Sequence, residues 1–373
     1  MRSSTSSSER LTASDRPGVA QPVPVRDMPP HRWAPILLGA LLLAVLLIGG
    51  WEGYWRAFGA TPGSRDDAAL WARQRARIDN GEGDATVLVG ASRTFFDVQL
   101  PVWEQLSGRR PIQLALNGTS PTTPLEALAD DPSFKGRLLV GVAPDVFFSG
   151  FEYQGDTFKA YGKQSPSDHV GKWLSMQLVE PYLAFYDPDF ALFTVIKRQD
   201  WPLRKGMEGG TRVRKLNQAG PDRANHMWSK VENDLVYRAL TRRIWSEEFH
   251  DPPPTADELV QQKKTMYLQI ARNAAAVARL RARGISVVYV REPSTGDFLE
   301  YENGKFPRAE AWDSLIAHAQ VPGIYYDDYP QLRSSHYEFP EWSHMTRESA
   351  ERYTRELYAI LEKQFPPADG SRW

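Results

Sequence analysis

Two short stretches near opposite ends of the chain hold the residues that could do chemistry together. Ser92 stands in the string G-A-S-R-T, Gly90 to Thr94, directly behind the apolar run DATVLVG. A hydroxyl there is presented at the carboxyl end of a strand, where open α/β sheets gather their ligands. In PEWSHMT, Pro340 to Thr346, Glu341 and His344 lie three residues apart, a spacing that in a helical turn puts carboxylate and imidazole on one face. The carboxylate can fix the imidazole tautomer, and the imidazole can take the proton of a serine hydroxyl, which together make an acyl-transfer nucleophile. Loops are rich in serine, and a lone histidine is most often a surface or helix-start residue. The combination is what points to chemistry.

Other chemistries drop out by composition. The chain has no cysteine, which removes disulfides, thiolate metal sites and a cysteine nucleophile. Its seven histidines are scattered with no pair at ligand spacing, so neither a metal nor another cofactor is expected. Thr94 occupies the last position of what would be a G-x-S-x-G elbow, which argues against an α/β-hydrolase fold. No P-loop, G-x-G-x-x-G or H-E-x-x-H is present. With 45 basic and 46 acidic residues the formal net charge is −1, so nucleic acid is not an expected partner.

The elements that must position these residues alternate in type. DDAALWARQRARID, 66–79, has helical composition, and Asp84 to Gly90 that of a buried strand. LPVWEQLSG predicts a helix stopped at Gly108, PIQLALNG a second strand, TPLEALADDP a helix ending near Pro132, and Gly136 to Val142 a third strand. A long helix follows from Thr255 to Arg283, closed by Gly284, then the strand ISVVYV, a helix around Trp312, the short strand GIYYDD and a last helix from about Thr346 to Lys363. Strands alternating with helices across short connections predict a parallel sheet covered by helices. Between about 149 and 254 the rhythm breaks. That stretch is crowded with aromatic residues and prolines and holds the basic run KRQDWPLRKGMEGGTRVRK, Lys197 to Lys215. It is expected to be an insertion packed as irregular helices over one end of the sheet. Its basic run is either a solvated loop or a contact for an anionic glycan or phospholipid headgroups.

Ahead of all this, Trp33 to Trp51 is uncharged, and at about 1.5 Å per residue it spans roughly 28 Å, close to the hydrocarbon thickness. Trp33, Trp51, Tyr54 and Trp55 sit where interfacial aromatics are expected. Arg2, Arg10, Arg16, Arg26 and Arg32 precede the segment, whereas only Arg56 and Arg65 follow before the next helix. The positive-inside rule then leaves the N-terminus in the cytoplasm. No small-x-small site follows the apolar run closely, so an uncleaved anchor is expected rather than a signal peptide. Residues 1–32 have the composition of a disordered cytoplasmic tail, 33–51 form the spanning helix in the bilayer, and 66–363 form the exported domain.

A serine after the first strand and an acid-x-x-His pair before the last helix resemble the SGNH, or GDSL-like, hydrolase superfamily. The resemblance is to its membrane-anchored exported branch, which includes alginate and other polysaccharide O-acetyltransferases and the D-alanyl-transfer protein of teichoic acid modification. It covers roughly residues 84–145 and 255–363. It implies a flavodoxin-like three-layer α/β/α sandwich, with Ser92 as nucleophile, His344 as base and Glu341 as orienting acid. It also implies an oxyanion hole formed by the backbone N–H groups of Gly118 and Ser92, although Asn117-Gly118 also has the composition of a plain turn.

The pattern departs from the family in three places: G-A-S stands for G-D-S, Glu341 for Asp, and VGVAPDVFF, with Pro144 and Asp145, for the block that carries an asparagine. Arg93, after the serine, or Arg291, at the end of ISVVYV, is a candidate replacement charge. Asp327 and Asp328 are alternative acids, and Asn117 is a further candidate substrate contact. The implied function is an acyltransferase or esterase of the bacterial inner membrane, its domain in the periplasm, acting on a cell-envelope polysaccharide or acylated glycan. A membrane-embedded acyl-donor protein is a further expected partner. The alternative is a non-catalytic SGNH-like domain that binds a glycan or membrane partner.

Overall fold

The structure, a computed structural model, describes residues 32–199, 214–249, 254–367, 370 and 372–373. Residues 1–31 of the expected tail, 1–32, and most of the basic run lie outside the described residues. Two compact units divide at Trp51 and Glu52.

The described part of the first unit is the start of α1, Trp33–Phe58, which among the described residues is the one helix long and apolar enough to cross a membrane. Leucine and alanine, both strong helix formers, dominate it. The helix runs past Trp51, and its last turns belong to the second unit. There Trp55 is buried, and the Glu52 carboxylate accepts the backbone N–H groups of Ala184 and Phe185 at 2.9 and 3.0 Å.

The second unit begins at Glu52 and is built on a five-stranded parallel sheet. Along the chain come α2 (Ala68–Arg77), β1 (Thr86–Val89), α3 (Ser92–Asp97), α4 (Leu100–Ser107), β2 (Ile112–Gln113), α5 (Thr122–Asp130), β3 (Arg137–Gly141) and α6 (Pro144–Ser149). The insertion contributes α7 (Asp156–Ala160), α8 (Pro166–Leu178), α9 (Leu192–Lys197), the antiparallel pair β4 (Asn217–Ala219) and β5 (Asn225–Met227), α10 (Ser229–Asn233) and α11 (Leu235–Phe249). Then follow α12 (Ala256–Ala282), β6 (Ser286–Arg291), α13 (Gly296–Lys305), α14 (Trp312–Ala319), β7 (Gly323–Tyr325) and α15 (Arg347–Gln364).

Strand order across the sheet is β2-β1-β3-β6-β7. The chain steps outward from β1 to β2, then crosses back to β3, so the winding reverses between β1 and β3. A crevice opens at such a point beyond the carboxyl ends of the strands. Every residue of β1, and all but the first of β3 and β6, is buried, as required of a parallel sheet covered on both faces. The apolar runs recognised in the sequence are these strands. β2 is shorter than the run PIQLALNG, yet Leu114 N and Leu116 N still donate to Leu88 O and Gly90 O at 2.8 and 3.1 Å, so its pairing with β1 continues upward.

The covering helices start where their caps dictate. α12 opens on a capping box in which Thr255 accepts from Glu258 N and Glu258 accepts from Thr255 N. Arg283 and Gly284, the latter at φ +76°, end it. α15 starts at Thr346, whose hydroxyl accepts Ser349 N at 3.4 Å.

Candidate functional site

Ser92 is the first residue of α3, after Ala91 in extended conformation. A tight fit locks that turn onto the sheet. A Cβ on Gly90 or on Gly141, at the end of β3, would collide with the Thr94 side chain. The Thr94 hydroxyl in turn donates at 2.6 Å to Glu292, which follows β6. Ser92 is half-buried, and its hydroxyl has no hydrogen-bond partner among the described residues. Its backbone N–H, like others in a first helical turn, has no intrahelical acceptor.

Glu341 and His344 are fully buried and in contact. Glu341 Oε1 accepts the His344 backbone N–H at 2.6 Å and lies 2.8 Å from Nδ1, while Oε2 accepts Trp245 Nε1 at 2.6 Å. A carboxylate held against Nδ1 requires the proton there and leaves the Nε2 lone pair free. Nε2 is buried, without a partner among the described residues. The local geometry differs from the expected helical turn. Residues 341–344 form an irregular bend with Trp342 at φ +73°, in the left-handed region, and Trp342 O is held by Thr295 N at 2.8 Å. The i, i+3 contact survives because the bend itself, closed by the Glu341 carboxylate on the His344 N–H, folds the two side chains together.

Three contacts draw α3 and this bend to one place. Arg93 Nε donates to Ser343 O and Oγ at 3.2 and 3.3 Å, Asp97 Oδ1 accepts Met345 N at 3.0 Å, and the Phe96 ring stacks on the His344 imidazole with centroids 4.2 Å apart. Ser92 is four residues before Phe96 and so on the same helical face, one turn closer to the crevice. Among the described residues the Ser92 hydroxyl and the His344 imidazole make no hydrogen bond to each other.

The Asn117-Gly118 turn follows the segment paired with the end of β1: Leu116 N donates to Gly90 O at 3.1 Å, two residues before Gly118 and Ser92 respectively. Gly118 has φ +57°, its N–H takes no acceptor among the described residues, and its carbonyl accepts Tyr153 N at 3.1 Å. Asn117 is half-buried, and its Oδ1 is buried without a partner among the described residues. The Ser92 and Gly118 N–H groups and the Asn117 amide thus lie on the segments that follow the adjacent strands β1 and β2. After β3, where an amide is missing from the sequence, Pro144 opens α6 and Asp145 pairs with Lys305 at 2.6 Å.

The remaining candidates lie elsewhere. Arg93 and Arg291 are not free to face a ligand: both are buried and both hold Glu302, at 3.0 and 2.9 Å. A buried guanidinium needs a carboxylate, and α13 supplies one from inside the fold. Asp327 and Asp328 lie at the surface, paired with Arg333 and Arg308 rather than with His344. Among the described residues no group of His, Cys, Asp or Glu could hold a metal ion.

Sequence reasoning missed the layer beneath the site. Burial pushes the Glu302 carboxyl up, but the guanidiniums of Arg93 and Arg291 outweigh it and leave it below its ordinary 4.5. Burial raises Glu292 against the Thr94 hydrogen bond, and raises Asp97 well above its ordinary 3.8 against the Met345 N–H. A raised carboxyl binds its proton more tightly folded than unfolded, so its contribution to stability falls as pH rises from about 3.8 towards the folded value. Asp97→Asn keeps the acceptor for Met345 N and removes that charge. It is expected to melt higher than the wild type at pH 8, with the gap closing towards pH 4. Melting curves at both pH values check this, and an unchanged gap counts against it.

Trp245 is the insertion's contribution. Besides its bond to Glu341 its ring packs edge-on against Phe298, centroids 5.8 Å apart. Trp245→Phe keeps the packing and loses one charge-assisted bond, and is expected to lower kcat roughly tenfold with little change in KM. Ester-hydrolysis kinetics give the split, and a change confined to KM counts against a positioning role.

No family model matches the chain, and a search of curated proteins finds no significant match.

Proposed function

We propose that this chain is a membrane-anchored serine esterase or O-acyltransferase with an SGNH-type domain, working on the far side of the bacterial inner membrane on a cell-envelope polysaccharide. The observation that carries the reading is the His344 imidazole. Its Nδ1 is held by a buried carboxylate, its Nε2 is unengaged, and it stacks on the helix that Ser92 begins.

The chemistry follows from those groups. Ser92 Oγ attacks the acyl carbonyl carbon as its proton passes to His344 Nε2. The Ser92 and Gly118 N–H groups, with Asn117 as the nearby amide, receive the oxyanion. The intermediate collapses to an acyl-serine as the leaving alkoxide takes the proton back from Nε2. A sugar hydroxyl or water then attacks the ester by the same path in reverse, which distinguishes transfer from hydrolysis. Glu341 stabilises the imidazolium in both halves. The α1 anchor would hold the domain within reach of a membrane-embedded acyl donor, and the aromatic insertion suits stacking on sugar rings.

The test is to incubate the purified chain with a fluorophosphonate probe and with p-nitrophenyl acetate. Labelling at Ser92 and ester cleavage are expected. A folded protein that neither labels nor turns over would overturn the reading. It would favour a non-catalytic glycan-binding domain, a reading that draws support from the absent asparagine after β3 and from the absence of a Ser92–His344 hydrogen bond.

A further inference from the structure

A second cavity lies away from Ser92, at the foot of the anchor helix. It measures about 650 Å³, within the range of small-molecule sites. Trp55 and Phe58 of α1, Phe190 and Leu240 give it an aromatic and aliphatic wall. Trp55 and Phe190 are stacked with centroids 4.8 Å apart.

The lining carries five cationic side chains against two carboxylates. Three of the cations are neutralised within the fold: Arg198 by Asp189 at 2.5 Å, Lys230 by Asp234 at 2.9 Å, and Lys215 by Asp187. Among the described residues Arg214 and Arg243 have no carboxylate partner. Arg243 is exposed with its guanidinium unpaired, and Arg214 keeps a buried Nε without a partner while Nη2 donates to Arg198 O at 3.3 Å, among the described residues. An apolar wall with two unspent guanidiniums suits an amphiphile with an anionic head.

Position selects among amphiphiles. Trp55, which lines the cavity, follows the end of the uncharged segment, Trp51, by only four residues in sequence, a stretch of chain that reaches at most about 14 Å. A headgroup layer is roughly 5–8 Å deep on each side of the hydrocarbon. Val236, which lines the cavity, and Phe193 nearby in α9 are 81% and 76% exposed, a cost in water that a lipid interface removes.

We propose that this cavity binds the phosphate head of an acidic glycerophospholipid, with Arg214 and Arg243 on the phosphate and the Trp55–Phe190 wall against the glycerol and first methylenes. The inference rests on the reading of α1 as a membrane anchor.

The test uses the full chain in a nonionic maltoside detergent, titrated calorimetrically with dihexanoyl phosphatidylglycerol. Saturable one-to-one binding is expected. It should weaken about tenfold or more in Arg243→Glu and in Arg214→Gln, both checked for an unchanged melt. Dihexanoyl phosphatidylcholine and inorganic phosphate should each bind at least about tenfold more weakly than the acidic lipid. No saturable binding, equal affinity in both variants, or equal affinity for phosphatidylcholine overturns the proposal. Equal affinity for inorganic phosphate makes the site a free-phosphate site and overturns the lipid assignment. Alkaline extraction of membranes scores the anchor separately: release of the chain refutes the anchor whatever the titration shows, and retention without binding refutes only the cavity.

Discussion

Ser92→Ala and His344→Ala are each expected to lower turnover of p-nitrophenyl acetate by about 10⁴-fold or more, and the double variant to be no worse than either alone. In the proposed mechanism nucleophile and base act as one unit: without Nε2 the hydroxyl keeps its proton, and without the hydroxyl the imidazole has nothing to activate. What remains comes from the N–H groups of Ser92 and Gly118, which neither substitution removes. Stability separates the two. The Ser92 hydroxyl has no partner among the described residues, so its loss should leave the melt within about 0.5 kcal/mol of wild type. His344 fills a buried place against Phe96, so its loss should cost roughly 2–4 kcal/mol in addition to activity. Fluorophosphonate labelling with kinetics and melts on the three variants measures all of this. A Ser92→Ala protein that keeps more than about one-hundredth of the turnover removes Ser92 from the chemistry.

Sequence carried the sheet because its strands are buried on both faces. Runs such as DATVLVG and ISVVYV have no competing reading once helices of the right period flank them. It also carried the acid-x-x-His pair, although the pair lies in a bend rather than a helical turn, since i, i+3 contacts arise in both. The carboxylates beneath the site were invisible for a physical reason. Asp97, Glu292 and Glu302 are polar residues in the interior, and no periodicity marks a buried charge whose partner is 200 residues away. Helix α13 was missed likewise: GDFLEYENGK has glycines near both ends and no apolar stripe. It is held by its inward Glu302 and by Phe298 and Tyr301 packed against Trp245 and Phe249 of α11. The insertion's hairpin turns at Gly220–Arg223, where Pro221 and Asp222 suit a turn. Its strands, three residues each, are too short for alternation to register. Trp245 could not be assigned to the site at all, because nothing local to α11 says that its indole meets Glu341.

The largest stability effect is expected at Glu302. Its carboxylate is the shared counter-charge of two guanidiniums, all three side chains about 1–2% exposed. Glu302→Gln keeps the shape but leaves Arg93 and Arg291 facing each other across an amide. Neither can shed its charge, because guanidinium does not deprotonate in proteins. The nearest other carboxyls, Glu292 and Asp97, are themselves pushed up by burial and would have to ionise at a cost. The expected loss is about 3–5 kcal/mol, or roughly 5–10 °C in Tm for a unit of this size. Calorimetric melts check it, and a shift under about 2 °C would show that water or rearrangement relieves the pair. Replacing the triad with apolar residues, Arg93→Met, Arg291→Met and Glu302→Leu, separates charge from packing. Stability should return to within about 1–2 kcal/mol of wild type, while turnover stays low because Arg93 no longer ties Ser343 to α3. The buried charges would then owe their place to the alignment of Ser92 with His344 rather than to stability.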